Sequence, residues 1–207
     1  MVGLTKNNQH LLLLYNDKTI RDSYVCDFIN EGLTNDELCI YGTVSLRDKN
    51  TFKIASKIVN YKKNIEEGNL LIVDLAPMYV RALTGDLGLF EKFKKDVLKR
   101  IKKRINKHVR FVGDCASFLF ENKQFSQCLA VESWWHRRPI RGKYLCPYQK
   151  SFINQYPYNF HIGSIIENKH DKIIDTDGST TYDYKKVNDY PETEDSEEFN
   201  RGGSNIL

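Results

Sequence analysis

Residues 10–42 constrain the fold most strongly, because this stretch combines two apolar strands with the helix that joins them. Leu11 to Tyr15 is a continuous apolar run, which is typical of a central parallel strand. Thr19 is predicted to cap the helix that follows, and Gly32 to end it. The second strand is predicted at Leu38 to Gly42. The apolar face of the helix is assigned to Ile20, Tyr24, Val25, Phe28 and Ile29.

The turn after the first strand occupies the position of the phosphate loop in nucleotide-binding α/β proteins. Lys18-Thr19 resembles the Lys-Ser/Thr pair of that loop, and Asp74 resembles its metal-binding aspartate. However, the four residues Asn16 to Thr19 contain no glycine to supply the positive φ angles that a phosphate cradle needs. A plain strand-to-helix turn is the alternative. The sequence therefore favours a fold descended from nucleotide-binding proteins over a working ATPase.

Further strands and helices alternate along the chain. Three more strands are predicted at Leu70–Leu75, Val109–Val112 and Tyr144–Tyr148, with a loop from Ala76 to Gly88. Helices are predicted at 52–64, 91–107, 125–135 and within 160–174. This alternation predicts an α/β fold, with a doubly wound, mostly parallel sheet of five or more strands in one domain over residues 1–176.

Charge is unevenly distributed. Residues 177–207 contain eight acidic and three basic side chains, and their low apolar content predicts a disordered acidic tail. The chain carries a net charge of +4, so the preceding residues carry about +9. Nine of the cations lie on the predicted helix 91–107. They could contact nucleic acid, but without a recognisable binding motif a solvated outer helix face is the favoured interpretation.

Several classes of protein are disfavoured by composition. No run of about 18 apolar residues exists, so no membrane span is predicted, and the N-terminal residues lack an apolar signal core. The five cysteines form no Cys-x-x-Cys pair, which argues against a disulfide framework and, by spacing, against a zinc site. Reduced thiols and a cytoplasmic location are therefore expected.

A set of chemically versatile side chains lies mostly in the second half of the chain. A Glu–Cys–His combination could bind a soft metal or activate a thiolate. Each member also has a structural alternative: Cys146 as a core residue, Trp134 and Trp135 as packing residues, and His170 at a helix C-terminus. The set comprises His10, Glu132, Trp134, Trp135, Cys146, Tyr148, His161 and His170.

The same residues carry a resemblance to a known family. HLLLLY, INEGL, NDELCIYG, AVESWW, YLCPY and KHDKIID resemble the MEDS domain, the sensory domain of methanogens and methylotrophs named for the regulator DcmR. The resemblance covers residues 8–176. It implies that Glu132, Cys146 with Tyr148, and His170 in the last helix are the characteristic residues of the family.

The resemblance implies a RecA-like ATPase derivative that has lost its phosphate loop and senses small hydrocarbon derivatives without catalysis. It also implies a prokaryotic or archaeal source. No kinase, PAS or helix-turn-helix segment is recognisable, so a separate signalling protein is the expected partner. The expected ligand contacts, at the carboxyl edge of the sheet, are His10, Tyr15, Asp114, Glu132, Trp134, Trp135, Cys146, Tyr148 and His170.

Several alternatives stay open. The cofactor is undetermined, and a metal site at Glu132, Cys146 and His170 is a hypothesis only. A residual RecA-like nucleotide-binding protein and a nucleic-acid-associated protein using helix 91–107 are the alternative functions.

Overall fold

The computed structural model describes residues 8–46, 49–137, 140–154, 166, 168–177 and 181–183. Its strands are β1 (Gln9–Tyr15), β2 (Leu38–Thr43), β3 (Leu70–Asp74), β4 (Val109–Gly113), β5 (Gly142–Gln149), β6 (Lys172–Asp175) and β7 (Thr181–Asp183). They form one sheet in the order β3-β2-β4-β5-β1-β6-β7. All neighbouring pairs are parallel except β6 and β7, so the predicted, mostly parallel sheet is confirmed.

The helices of the described residues are α1 (Lys18–Thr34), α2 (Lys49–Lys57), α3 (Tyr61–Glu66), α4 (Ala76–Ala82), α5 (Gly88–Ile101), α6 (Cys115–Glu121), α7 (Phe125–His136) and α8 (Lys150–Asn154). They cover both faces of the sheet. On β1, Leu11 and Leu13 pack with residues of α1 and α2, whereas Leu12 and Leu14 pack with residues of α4 to α7. This alternation confirms the doubly wound α/β fold.

Two predictions about α1 were wrong. Its N-cap is Asp17, not Thr19, because the Asp17 carboxylate accepts hydrogen bonds from the backbone N–H groups of Thr19 and Ile20. Gly32 does not end the helix, which continues to Thr34. A Cβ atom on Gly32 would lie 2.5 Å from Cδ of Arg110, so glycine is required for close packing and not for a left-handed turn.

Other boundaries also differ from the prediction. The region 76–88, predicted as a loop, contains α4 and the start of α5. The predicted helix 91–107 ends at Ile101, and Ile105 is fully exposed instead of packing on the sheet. The predicted helix 52–64 is divided into α2 and α3, with Asn60 in a left-handed conformation between them.

Of the C-terminal region for which a helix and a tail were predicted, the structure describes only some residues. Within the stretch 160–174, predicted to hold a helix, residues 166 and 168 are helical and residues 172–174 belong to β6, while 160–165, His161 included, and 167 lie outside the described residues. The short strand β7 falls in the predicted tail, and residues from 184 onwards are outside the described part, so the tail stays a prediction. No helix in the described ranges is long and apolar enough to cross a membrane.

Candidate functional site

Four buried side chains, which we call the quartet, meet on the α7 face of the sheet. His10 comes from β1, Glu132 from α7 and Cys146 from β5. His170 lies two residues before β6. One potential ligand atom from each lies within 4.8 Å of the others. His10 Nε2 is 3.2 Å from Cys146 Sγ and 3.4 Å from Glu132 Oε2, and His170 Nε2 is also 3.4 Å from Glu132 Oε2. The fold therefore brings together residues that are 160 positions apart in sequence.

Backbone carbonyls orient both imidazoles of the quartet. The carbonyl oxygen of Lys169 accepts a hydrogen bond from His10 Nδ1 at 3.0 Å, and that of Ile166 accepts one from His170 Nδ1 at 2.5 Å. When Nδ1 carries the proton, the neutral ring presents a lone pair at Nε2. Both Nε2 atoms therefore face the centre of the quartet as electron-pair donors.

The carboxyl group of Glu132 is hydrogen-bonded through its Oε1 atom. The hydroxyl of Tyr148 donates to Glu132 Oε1 at 2.5 Å, and Cys128 Sγ lies 3.4 Å from the same hydroxyl. Burial raises the pKa of Glu132 to about 7, although the contacts with Tyr148 and Cys146 act in the opposite direction. Burial also raises the pKa of the Cys146 thiol well above its ordinary value. The buried surroundings of the quartet thus disfavour the ionised forms of Glu132 and Cys146 unless a positive charge compensates them.

Two polar atoms of the quartet have no hydrogen-bond partner among the residues that the structure describes. They are Glu132 Oε2 and His170 Nε2, and both side chains are fully buried. Their 3.4 Å contact is not an ion pair, because burial lowers the pKa of His170 to about 4 and leaves the imidazole neutral near neutral pH. Buried polar atoms are rarely left without a partner in folded proteins, so the quartet is chemically incomplete.

The sequence predicted these side chains at the carboxyl edge of the sheet, but the quartet does not lie there. His10 is the second residue of β1, and Cys146 pairs with Leu12 in the middle of the β1–β5 ladder. His170 is not inside a helix but precedes β6. The predicted position was wrong because Glu132 extends from the middle of α7, which covers the face of the sheet and not its edge.

A separate cavity of about 170 Å³ lies at the carboxyl edge. It is enclosed by the ends of β1, β2, β4 and β5 and by the first turns of α1 and α6, which is where open α/β sheets bind ligands. Polar groups dominate its walls. The lining residues are Tyr15, Lys18, Arg21, Tyr41, Thr43, Ser45, Thr51, Asp114, Ser117, Phe118, Glu121, Pro147 and Gln149.

Asp114 is the most buried carboxylate in this cavity. Its two oxygens accept hydrogen bonds from Thr43 Oγ1 at 2.5 Å and from the backbone N–H of Val44 at 2.8 Å. Burial nevertheless raises the pKa of Asp114, and the two hydrogen bonds only partly offset that effect. Asp114 thereby fixes the end of β2 against the end of β4 and forms part of the cavity wall.

The structure changes the assignment of the ancestral aspartate. Asp74 ends the edge strand β3, is exposed, and accepts a hydrogen bond from the backbone N–H of Ala76. Lys18 and Asp114 line the same cavity, and β4 is separated from β1 by β5 alone. Asp114, not Asp74, therefore lies beside the turn at residues 16–19 that was compared with a phosphate loop.

The remaining predicted contacts separate into different environments. Tyr15 and Asp114 line the carboxyl-edge cavity, and Tyr148 supports the quartet. Trp135 stacks on Phe111 with ring centroids 4.4 Å apart and lies in the aromatic core. Trp134 donates its indole N–H to Glu91 Oε1 at 2.6 Å. The tryptophan pair therefore packs α7 against α5 and lines neither site in the described part of the chain.

Some site residues were not predicted. Lys18 was considered only as part of a phosphate loop, and Arg21, Thr43, Ser117 and Glu121 were not singled out, because side chains around a sheet edge follow no periodicity in sequence. The only available signal was their position just before or after predicted strands.

Comparisons with known proteins agree with this fold. The family model described as "MEthanogen/methylotroph, DcmR Sensory domain" (MEDS) matches residues 9–156, more than half of the chain. No curated protein matches the sequence. A KaiC-like protein, PH0186 from Pyrococcus horikoshii OT3, is similar in structure with a TM-score of 0.54 at 15% identity, covering 82% of this chain and 72% of that one.

A second structure, the flagellar accessory protein FlaH from Methanocaldococcus jannaschii, aligns with a TM-score of 0.44 at 12% identity, over 84% of this chain and 75% of that chain. At 15% identity, the KaiC-like likeness concerns the fold alone, and it supports the predicted RecA-like architecture. The family match covers the strands and helices that supply His10, Glu132 and Cys146. The chain belongs to the MEDS family of sensory domains.

Proposed function

We propose that this sensory domain binds a small polar organic molecule in the carboxyl-edge cavity and does not convert it. The single observation that carries the proposal is the partly open, polar cavity of about 170 Å³ at the ends of four strands. Membership of a sensory family supports binding as the function. The quartet is a poorer candidate for such a ligand, because His10 and Glu132 are 0% exposed.

The size of the cavity argues for a molecule with few heavy atoms. Pockets for drug-sized ligands usually measure roughly 300–1,000 Å³, so about 170 Å³ is small for a nucleotide. The turn beside Lys18 also lacks the glycines of a phosphate cradle. Both features favour a simple hydrocarbon derivative over ATP, even though Lys18 and Asp114 line the same cavity.

The chemistry of the walls favours hydrogen bonding. Hydroxyl groups from β1, β2 and α6 line the space together with the Lys18 ammonium and the Asp114 carboxyl. Arg21 is already held by Asp22, whose Oδ1 accepts from Nε at 2.8 Å and from Nη2 at 2.5 Å. Lys18 is thus the cation better placed to recognise a ligand, and an alcohol, amine or carboxylate of one to three carbons matches this lining.

We further propose that the output passes to a separate cytoplasmic signalling protein. A basic surface lies beside the amino end of β2. It includes the exposed cations Lys99 and Arg100 in the second half of α5 and Lys103 just after that helix. Such a surface suits an acidic partner. The nucleic-acid alternative predicts an affinity for nucleic acid that falls steeply as the salt concentration rises, and a flat salt response would exclude it.

Isothermal titration calorimetry with one- to three-carbon alcohols, amines, carboxylates and halides tests the proposed function. We expect at least one class to bind, and Ser117→Leu to abolish binding by filling the cavity. The matched control is Ser56→Leu on the exposed part of α2, which lies outside the cavity lining. Failure of the whole panel, or unchanged binding by Ser117→Leu, would refute the proposal. Tight magnesium-dependent ATP binding lost in Lys18→Ala would favour the nucleotide alternative instead.

A further inference from the structure

We infer that His10, Glu132, Cys146 and His170 form a four-coordinate binding site for a zinc ion. The quartet shares no residue with the carboxyl-edge cavity, so the inference is independent of the proposed small-molecule function. The described residues supply two imidazoles, one carboxylate and one thiol at a single buried point. These are the ligand types that zinc uses in proteins.

The distances between the ligand atoms fit one ion. Zinc binds nitrogen and oxygen at about 2.0–2.2 Å and sulfur at about 2.3 Å, so neighbouring ligand atoms of a tetrahedral site are roughly 3.3–3.6 Å apart. Three contacts in the quartet measure 3.2, 3.4 and 3.4 Å. All four ligand atoms lie within 4.8 Å of one another, so a small contraction around an ion completes the coordination sphere.

The surrounding hydrogen bonds prepare each ligand for a metal. The carbonyl oxygens of Lys169 and Ile166 hold the protons of the two imidazoles on Nδ1 and leave both Nε2 lone pairs directed inwards. Tyr148 holds Glu132 Oε1 and leaves Oε2 for the ion. Outer hydrogen bonds of this kind are usual around protein metal sites, where they fix the tautomer and orientation of the ligands.

A purely hydrogen-bonded cluster explains the geometry less well. When Glu132 is ionised, its Oε2 and the Nε2 of His170 are both acceptors, 3.4 Å apart, and no donor among the described residues bonds to either atom. A cation between them would satisfy both atoms together with His10 and Cys146. The incomplete hydrogen bonding is thus explained by a positively charged ligand and not by packing alone.

The composition of the site favours zinc over other metals. A mixed nitrogen, oxygen and sulfur set that converges as four ligands suits tetrahedral zinc, whereas the hard cations magnesium and calcium prefer oxygen ligands. Four protein ligands also leave no open position, which is typical of structural and not catalytic zinc. Such an ion would join β1, β5 and α7 to His170, which lies two residues before β6.

The test is to refold the full chain from denaturant with and without one equivalent of zinc, because the quartet is buried. We expect one zinc per chain by elemental mass spectrometry. At free zinc 100-fold above the dissociation constant, the melting temperature should rise by about 5–10 °C. Refolding with Co²⁺ should give intense visible bands of tetrahedral cobalt and a near-ultraviolet thiolate charge-transfer band.

The matched variants are Cys146→Ser and Cys26→Ser, both at buried thiols, with Cys26 on the opposite face of the sheet. Cys146→Ser should lose the charge-transfer band and bind zinc at least 10-fold more weakly, while Cys26→Ser should keep both. If Cys146→Ser does not fold, the cobalt spectrum of the wild type decides. Substoichiometric zinc, an octahedral cobalt spectrum, or a charge-transfer band retained in Cys146→Ser would overturn the inference.

Discussion

The two faces of the sheet each bury a polar cluster, and the clusters differ in how completely their atoms are paired. On the α1 face, Arg110 of β4 is 1% exposed. Its guanidinium donates to both oxygens of Glu31 at 2.8 and 2.6 Å, to Glu37, and to the carbonyl oxygen of Phe28. On the α7 face, Glu132 Oε2 and His170 Nε2 of the quartet have no hydrogen-bond partner within the described ranges.

This difference separates a structural cluster from a binding site. The Arg110 guanidinium lowers the pKa of Glu31 through its hydrogen bonds, so the charged states of both groups are favoured in the folded protein. Burial raises the pKa of Glu132, so the charged state of that group is disfavoured. A buried cluster with all partners present stabilises the fold, whereas one with missing partners indicates a ligand that completes it.

The largest expected effect is on the complete cluster. Arg110→Ala should lower the free energy of unfolding by about 3–5 kcal/mol, because it leaves Glu37 buried without its cation. Urea denaturation followed by circular dichroism measures the change. The control is Arg81→Ala, which removes an exposed ion pair with Asp86 and should cost at most about 1 kcal/mol. Equal losses in the two variants would show that burial does not strengthen the Arg110 pairs.

The second-largest expected effect on stability comes from the close packing of Gly32 against Arg110. In Gly32→Ala, the new methyl group would lie 2.5 Å from Arg110 Cδ and 2.6 Å from Cys39 Sγ. We expect a loss of about 1–3 kcal/mol from overpacking, measured by thermal denaturation. Gly88→Ala is the control, since the one described atom within 3.5 Å of its methyl group would be a carboxylate oxygen of the exposed Asp86. A neutral Gly32→Ala would show that Arg110 can move without loss.

A substitution in the quartet should change the free energy of unfolding in the opposite sense. In metal-free protein, Glu132→Gln should leave stability unchanged or raise it by about 1 kcal/mol, because the amide can accept from Tyr148 and donate to His170. Urea denaturation in the presence of a chelator measures this. A loss as large as that of Arg110→Ala would show that the Glu132 carboxyl is already satisfied, which would remove the contrast between the two faces.

The smallest effect concerns the cavity aspartate. Since burial raises the pKa of Asp114, its contribution to stability is greatest below its ordinary pKa of 3.8 and is lost as the pH rises through the folded-state value. Asp114→Asn does not titrate at this position. The stability of the variant relative to wild type should therefore increase as the pH rises from about 3.8, as measured by urea denaturation at several pH values. A relative decrease would mean that the hydrogen bonds from Thr43 and Val44 outweigh burial.

Sequence patterns predicted the sheet well, because buried parallel strands are short continuous apolar runs. They failed where single residues suggested a break. Pro77 and Gly85 favoured a loop over 76–88, yet Pro77 lies in the first turn of α4, where a missing backbone N–H has no cost. Gly85 has a φ angle of +77° and joins α4 to α5.

The chemistry of the quartet was predictable in part. The family resemblance identified Glu132, Cys146, Tyr148 and His170, but it did not predict that they converge with His10 on a sheet face. That convergence depends on the strand order, which places β1 between β5 and β6. No local pattern in the sequence specifies this order. The burial of Arg110 was missed for the same reason, because its partners Glu31 and Glu37 come from a different part of the chain.

The wide spacing of the quartet has a consequence for how the protein forms in the cell. His170 is added to the growing chain 160 residues after His10, and the carbonyls of Ile166 and Lys169 that orient the rings are nearly as late. The first strand can pair with β5 during synthesis, but the fourth side chain arrives only when most of the domain has emerged from the ribosome. Capture of an ion by all four residues would therefore report that synthesis has passed residue 170 and that both ends of the domain have met.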